Sequence, residues 1–108
     1  MAATKDLLPV ERELHEEKAS ALAVAAERLE RALVELGEAQ RAFDEALEAE
    51  RGPLEQQYRQ LRAHAAERLW FLLVQREAMG LTQHDNVLAF YRVPPELRKV
   101  AGPRPRGA

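Results

Sequence analysis

His15, His64 and His84 are the side chains of this chain best suited to proton transfer or metal ligation near neutral pH. They share no metal-ligand spacing, and none stands three residues after a glutamate, the pairing that a carboxylate di-iron bundle needs twice. His15 lies seven residues before Leu22 and reads as a boundary position on a helix flank. His84, with Asp85 and Asn86, falls between two helical stretches, where Thr82 or Asp85 would serve as an N-cap and His84 itself is the one candidate ligand or general base. Ser20 and the two threonines have no neighbouring base of the kind that activates a hydroxyl. With no glycine-rich phosphate loop and no cysteine, the residues specify no catalytic site, no metal site and no cofactor.

A second chemistry to weigh is DNA recognition. Residues 73–97, "LVQREAMGLTQHDNVLAFYRVPPEL", read like the start of a repressor helix-turn-helix, in which a turn leads into a helix that offers polar and basic side chains to base edges. Here the segment after the turn carries Asp85 and the large apolar residues Val87, Leu88, Phe90 and Tyr91, which are expected to be buried. Only Arg92, Arg98, Lys99, Arg104 and Arg106 are placed to meet phosphate, with no helix after them to brace the contact. A DNA-binding or regulatory accessory role is therefore the alternative reading, and nucleic acid is not the expected partner.

A chain of 108 residues fits one domain with a modest core. The longest apolar run, Leu69 to Val74, is far shorter than a membrane span, and the N-terminus has no apolar stretch of signal-peptide length, so a cytoplasmic location away from membranes is expected. The net charge of −2 hides an asymmetry: residues 1–50 carry 6 basic and 13 acidic side chains, residues 51–108 carry 10 and 5. A chain folded back near residue 52 would lay these halves side by side, so charge complementarity between two helices is expected.

The periodicity agrees with such a hairpin. Leu22, Leu29, Leu36 and Phe43 recur every seven residues, with Ala25, Ala32, Ala39 and Ala46 three positions later, a helical face that admits a close neighbour; Leu33 and Leu47 widen it. Glu27 and Arg31 are spaced as an ion pair. Gly37 interrupts the pattern without ending it. Gly52 suits the left-handed close of helix one and Pro53 the first turn of helix two, so helix one is expected over about 10–50 and helix two over about 53–79, closed by Gly80 with Leu81 packed behind it. The helices differ in length, which leaves Val10 to Val24 uncovered and predicts that a short helix at 84–92, with a final turn at 95–100 carrying Leu97 and Val100, folds over that stretch. An extension at 1–9 and a disordered tail at 102–108 complete a single helical domain at 10–101.

"LWFLLV", residues 69–74, covers every side of a helix and so must be surrounded. What the hairpin leaves uncovered makes Leu69, Trp70, Phe71, Leu73 and Val74, with Phe90 and Tyr91, the candidate interface. The fold class expected is all-α: a long antiparallel helical hairpin plus a short C-terminal helix, dimerising into an assembly like a four-helix bundle.

The segments "ERELHEEKASALAVAAERLERAL" and "WFLLVQREAMGL…HDNVLAFYRVPPELRKVAG" resemble a family of short bacterial helical proteins in which an EKA-x-x-L segment, a FLVQRE-x-x-GL segment and a closing Y-x-V-P-x-E recur in that order. The resemblance covers nearly the whole chain and implies a self-contained helical domain. It implies no activity, cofactor or catalytic residue. Together these readings point to a non-catalytic interaction or structural module that forms a homo-oligomer, a dimer above all, and binds another, unidentified protein.

Overall fold

Pro9 opens helix α1, Pro9–Glu45, in the first turn, where a missing backbone N–H costs nothing, and the Glu11 carboxylate accepts the N–H of Leu8 just before it. The computed structural model describes residues 8–102, and among them the chain forms three further helices and no strand: α2 Arg51–Ala78, α3 Asp85–Phe90 and α4 Pro95–Val100. Most of the expected N-terminal extension and all but Gly102 of the expected tail lie outside the described residues.

The chain reverses earlier than the sequence suggests. Ala46 and Leu47 are extended, and a 3₁₀ turn at Glu48–Glu50, in which the Glu50 carboxylate accepts the N–H of Leu47 at 3.2 Å, runs directly into α2. Gly52 therefore sits inside the first turn of α2 with helical geometry and does not close α1; Pro53 follows it in that first turn, as expected. Leu47 falls outside both helices and is 73% exposed, so it does not widen the apolar stripe. Helix α1 continues unbroken through Gly37.

The second reversal has the glycine closure that the sequence predicts, but Leu81 is exposed and packs against neither core cluster. Gly80 takes φ +83°, its N–H donates to Glu77 O, and the Leu81 N–H donates to Arg76 O, the two bonds of a glycine-closed helix end. Helix α3 ends the same way: Arg92 N–H donates to Ala89 O and Val93 N–H to Leu88 O. Its left-handed position is held by Arg92, at φ +54°, where glycine is usual. Neither Thr82 nor Asp85 caps α3. His84 occupies the N-cap position and its ring turns back toward α2 instead.

The core lies between α1 and α2 and continues under the two short helices. Ala25 and Leu29 of α1 pack with Leu69 and Leu72 of α2 and Leu88 of α3, while Ala32 and Leu36 pack with Ala65, Ala66 and Leu97 of α4. Leu33 and Val93 touch both groups and join them. Alanines from both long helices line this seam, so the backbones approach closely, as the alanine column predicts. Leu97 is fully buried, and removing it would open a cavity beneath α4.

Two expectations fail for geometric reasons. Because the chain reverses at Ala46–Leu47, α2 reaches back to the level of Ser20 and Ala21, which share a groove with Gln75. The short helices then return across the middle of the hairpin, from Leu22 to Leu36, and leave Pro9–Glu17 exposed at every residue. Of the stretch Val10 to Val24 they reach only the Leu22 end. The charge split likewise produces no ion pair between α1 and α2 among the described residues: Glu27–Arg31 lies within α1, at 3.0 Å as its spacing predicts, and Glu55–Arg59 lies within α2. The helices are joined by apolar contacts instead, with Arg51 lying 5.5 Å from the Phe43 ring across the turn. The described molecule is elongated, 63 × 30 × 19 Å.

Candidate interaction surface

The aromatic run of α2 divides according to what covers each side of the helix. Leu69 and Leu72 point into the hairpin and are buried, so Leu69 belongs to the intrachain core and has no surface to offer a partner. Leu73 and Trp70 are half-buried, Leu73 against the Leu88 cluster. Phe71 and Val74 remain 42% and 39% exposed. Trp70 and Phe71 meet edge to face with ring centroids 5.1 Å apart, which fixes Phe71 at the lip of the core.

Phe71 forms one wall of a groove between α1 and α2, with a volume of about 350 Å³. Val24 and Ala21 supply the opposite wall from α1; Arg28 and Arg68 stand at one end and Gln75 toward the other. Neither Arg28 nor Arg68 has a carboxylate within ion-pair distance among the described residues. An apolar trough with a cationic rim is thus presented beside the uncovered end of α1. The apolar run marks Phe71 and Val74 as exposed, and gives no sign of the α1 side because Val24 lies one residue off the buried column.

Phe90 and Tyr91 behave differently from each other. A six-residue helix shows only one side to the hairpin, and Leu88, Tyr91 and Val87 occupy it. Phe90 is directed away and is 77% exposed, contrary to the expectation that it is buried; its ring meets Tyr91 edge to face at 4.9 Å.

His84 has a clear structural task. Arg76 Nε donates to His84 Nδ1 at 3.1 Å and Arg76 Nη2 donates to the carbonyl of Gln83 at 2.8 Å. Since Nδ1 accepts, the proton sits on Nε2, which is 3.1 Å from Glu77 Oε2 and donates to it. Arg98 Nη2 and Asp85 Oδ1, 3.7 Å apart, tie α4 to the start of α3. The bonds from Arg76 and Glu77 fasten the loop after α2 to the last turn of that helix. His64 is half-buried on α2, His15 is exposed on α1, and no group of three potential metal ligands occurs among the described residues. No helix among them is long and apolar enough to cross a membrane.

Within residues 73–97, the helix that would read bases is α3, whose exposed positions are Asp85, Asn86, Ala89 and Phe90, with no cation among them. Arg92, Arg98 and Lys99 are exposed after it.

The fold and surface define an all-helical hairpin braced by two short helices, with an apolar trough along one side. No family model, no curated protein and no solved structure matches the chain.

Proposed function

We propose that this protein is a non-enzymatic, cytoplasmic helical module that self-associates, as a dimer whose paired hairpins form an assembly like a four-helix bundle, and displays its remaining surface to another protein. The observation that carries this reading is the exposed apolar surface of α2, where Val74 is open to solvent and Phe71 faces Val24 across the groove. Contiguous apolar surface beside a core is covered in most stable proteins, and a two-fold pairing covers it with a copy of itself. The resemblance to short bacterial helical proteins without an assigned activity is in keeping with it.

The test is sedimentation with circular dichroism on the same samples. The wild-type chain is expected to run as a dimer, and Phe71→Glu as a helical monomer, because a charge forced into an apolar contact costs several kcal/mol. A wild-type chain that stays monomeric at about 100 µM ends the self-association reading. A regulatory role on DNA through residues 73–97 is the second reading, favoured by the exposure of Arg92, Arg98 and Lys99. It requires binding to random-sequence DNA that falls steeply with salt.

A further inference from the structure

The N-terminal half of α1 carries a second seam, one residue off the buried column. Val10, Leu14, Glu17, Ala21, Val24 and Arg28 are spaced 4, 3, 4, 3, 4, the repeat of a coiled-coil face. Val10, Leu14 and Val24 are all largely exposed, at 66%, 52% and 44%. The spacing reads the same in both directions about residue 19. An antiparallel copy centred there sets Leu14 opposite Val24, Glu17 opposite Ala21 and Val10 opposite Arg28, with no residue out of register.

The charges agree with this arrangement. Residues 11–18 carry Glu11, Glu13, Glu16 and Glu17 against Arg12 and Lys18, and all of these but the half-buried Lys18 are exposed in the protomer. The groove they would reach is rimmed by Arg28 and Arg68, which lack carboxylate partners among the described residues. One end of the seam thus supplies acidic side chains around Leu14, and the other supplies an apolar trough with cations at its rim.

The geometry points to a second copy of this chain as the occupant: the projecting end of α1 from each protomer lies antiparallel in the α1–α2 groove of the other, Leu14 of one copy against Val24 and Phe71 of its partner. This rests on the self-association proposed above and fixes its partner surface and register. It moves the interface from the belt of α2 alone to a seam led by α1. The two-fold axis passes beside residue 19, and each copy covers the stretch that α2 is too short to reach.

The chain has no cysteine, so introduced ones report without background. Within one helix Leu14 and Val24 are separated by about 15 Å, and in the proposed pair Leu14 is a similar distance from the other copy's Leu14, both beyond the roughly 7 Å limit for a disulfide. Both side chains are exposed, so replacing them leaves the core intact. Leu14→Cys chains mixed with Val24→Cys chains should give a covalent dimer under mild oxidation, and neither variant alone should. Disulfide dimers of Leu14→Cys alone mean parallel pairing and overturn the arrangement. A wild-type chain that sediments as a dimer while the mixture fails to cross-link overturns this register and leaves self-association standing; a monomeric wild type at about 100 µM overturns both. Independently, Arg28→Glu with Arg68→Glu should weaken the wild-type dimer at least about tenfold, since like charges would then meet across the groove. An unchanged dissociation constant contradicts the charge match.

Discussion

Arg92 holds a backbone position that an L side chain occupies at a cost of about 1 kcal/mol, and the helix end it closes has the same two hydrogen bonds as the one closed by Gly80. Its side chain is exposed and outside the core. Arg92→Gly is therefore expected to raise stability by about 0.5–1 kcal/mol, seen as a higher urea midpoint with an unchanged slope. Gly80→Ala should lower it by about 1–2 kcal/mol, because alanine there meets the left-handed penalty although no neighbour obstructs its Cβ. The two substitutions test one geometry from opposite sides. A different residue-level contrast separates Arg76 from the other surface arginines: it bonds both His84 and Gln83, so Arg76→Ala should cost about 1–2 kcal/mol, whereas loss of the exposed Arg31–Glu27 pair should cost about 0.5 kcal/mol or less. Gly80 was legible in the sequence because a glycine after a periodic stretch has one common meaning. Arg92 was not, since nothing in its side chain marks a left-handed residue. His84 showed its position between helices but not its partners, which lie seven and eight residues back along α2.

At the level of the helix, the same logic explains which boundaries could be read. The heptad leucines and alanines of α1 identify its buried face, and Leu29, Leu36, Ala25, Ala32 and Ala39 are buried as their spacing requires. Gly-Pro at 52–53 is a strong local turn signal, while the actual break at Ala46–Leu47 is made by residues with no turn preference and secured by Glu50. Gly52 adopts ordinary helical geometry, so its permissiveness is unused there. Gly37 is in the same condition: a Cβ would meet nothing within 4 Å, and Gly37→Ala should stabilise α1 by about 1 kcal/mol, measurable as a rise in midpoint temperature. The short helices depend on the core more than on themselves, since a six-residue helix has little stability of its own. Leu97→Ala should cost about 2–5 kcal/mol, and amide exchange should rise first in residues 85–100. Removing residues 82–108 should raise exchange over Leu22 to Leu36, where α3 and α4 pack, and not over Pro9–Glu17.

For the whole molecule, the mismatch between a 37-residue α1 and a 28-residue α2 governs what surface is left. The sequence made the mismatch plain, and also the apolar run that spills out of the core. It did not show where the covering helices would land, because that depends on the register of the hairpin, which shifts with the turn. The position of Phe71 and Val74 at the surface was legible from a run too long for one helix face to bury. The trough that Phe71 shares with Val24 was not, because it exists only once α1 and α2 are set side by side. The charge split, too, was visible without its use: the acidic residues of α1 concentrate where no neighbour answers them, and the described structure pairs none with α2.

Trp70 is the only tryptophan in the chain, and it stands half-buried with its ring against Phe71, at the border between the core and the open groove. All indole emission of the molecule therefore originates at this border. Unfolding exposes the ring to water and moves the emission to longer wavelength; a neighbour that covers Phe71 dries the same surroundings and moves it to shorter wavelength. Denaturant and a partner seated in the groove would thus act on one optical signal in opposite directions. On the self-association proposed above, dilution of the native protein should shift its emission toward the red well before any helix is lost.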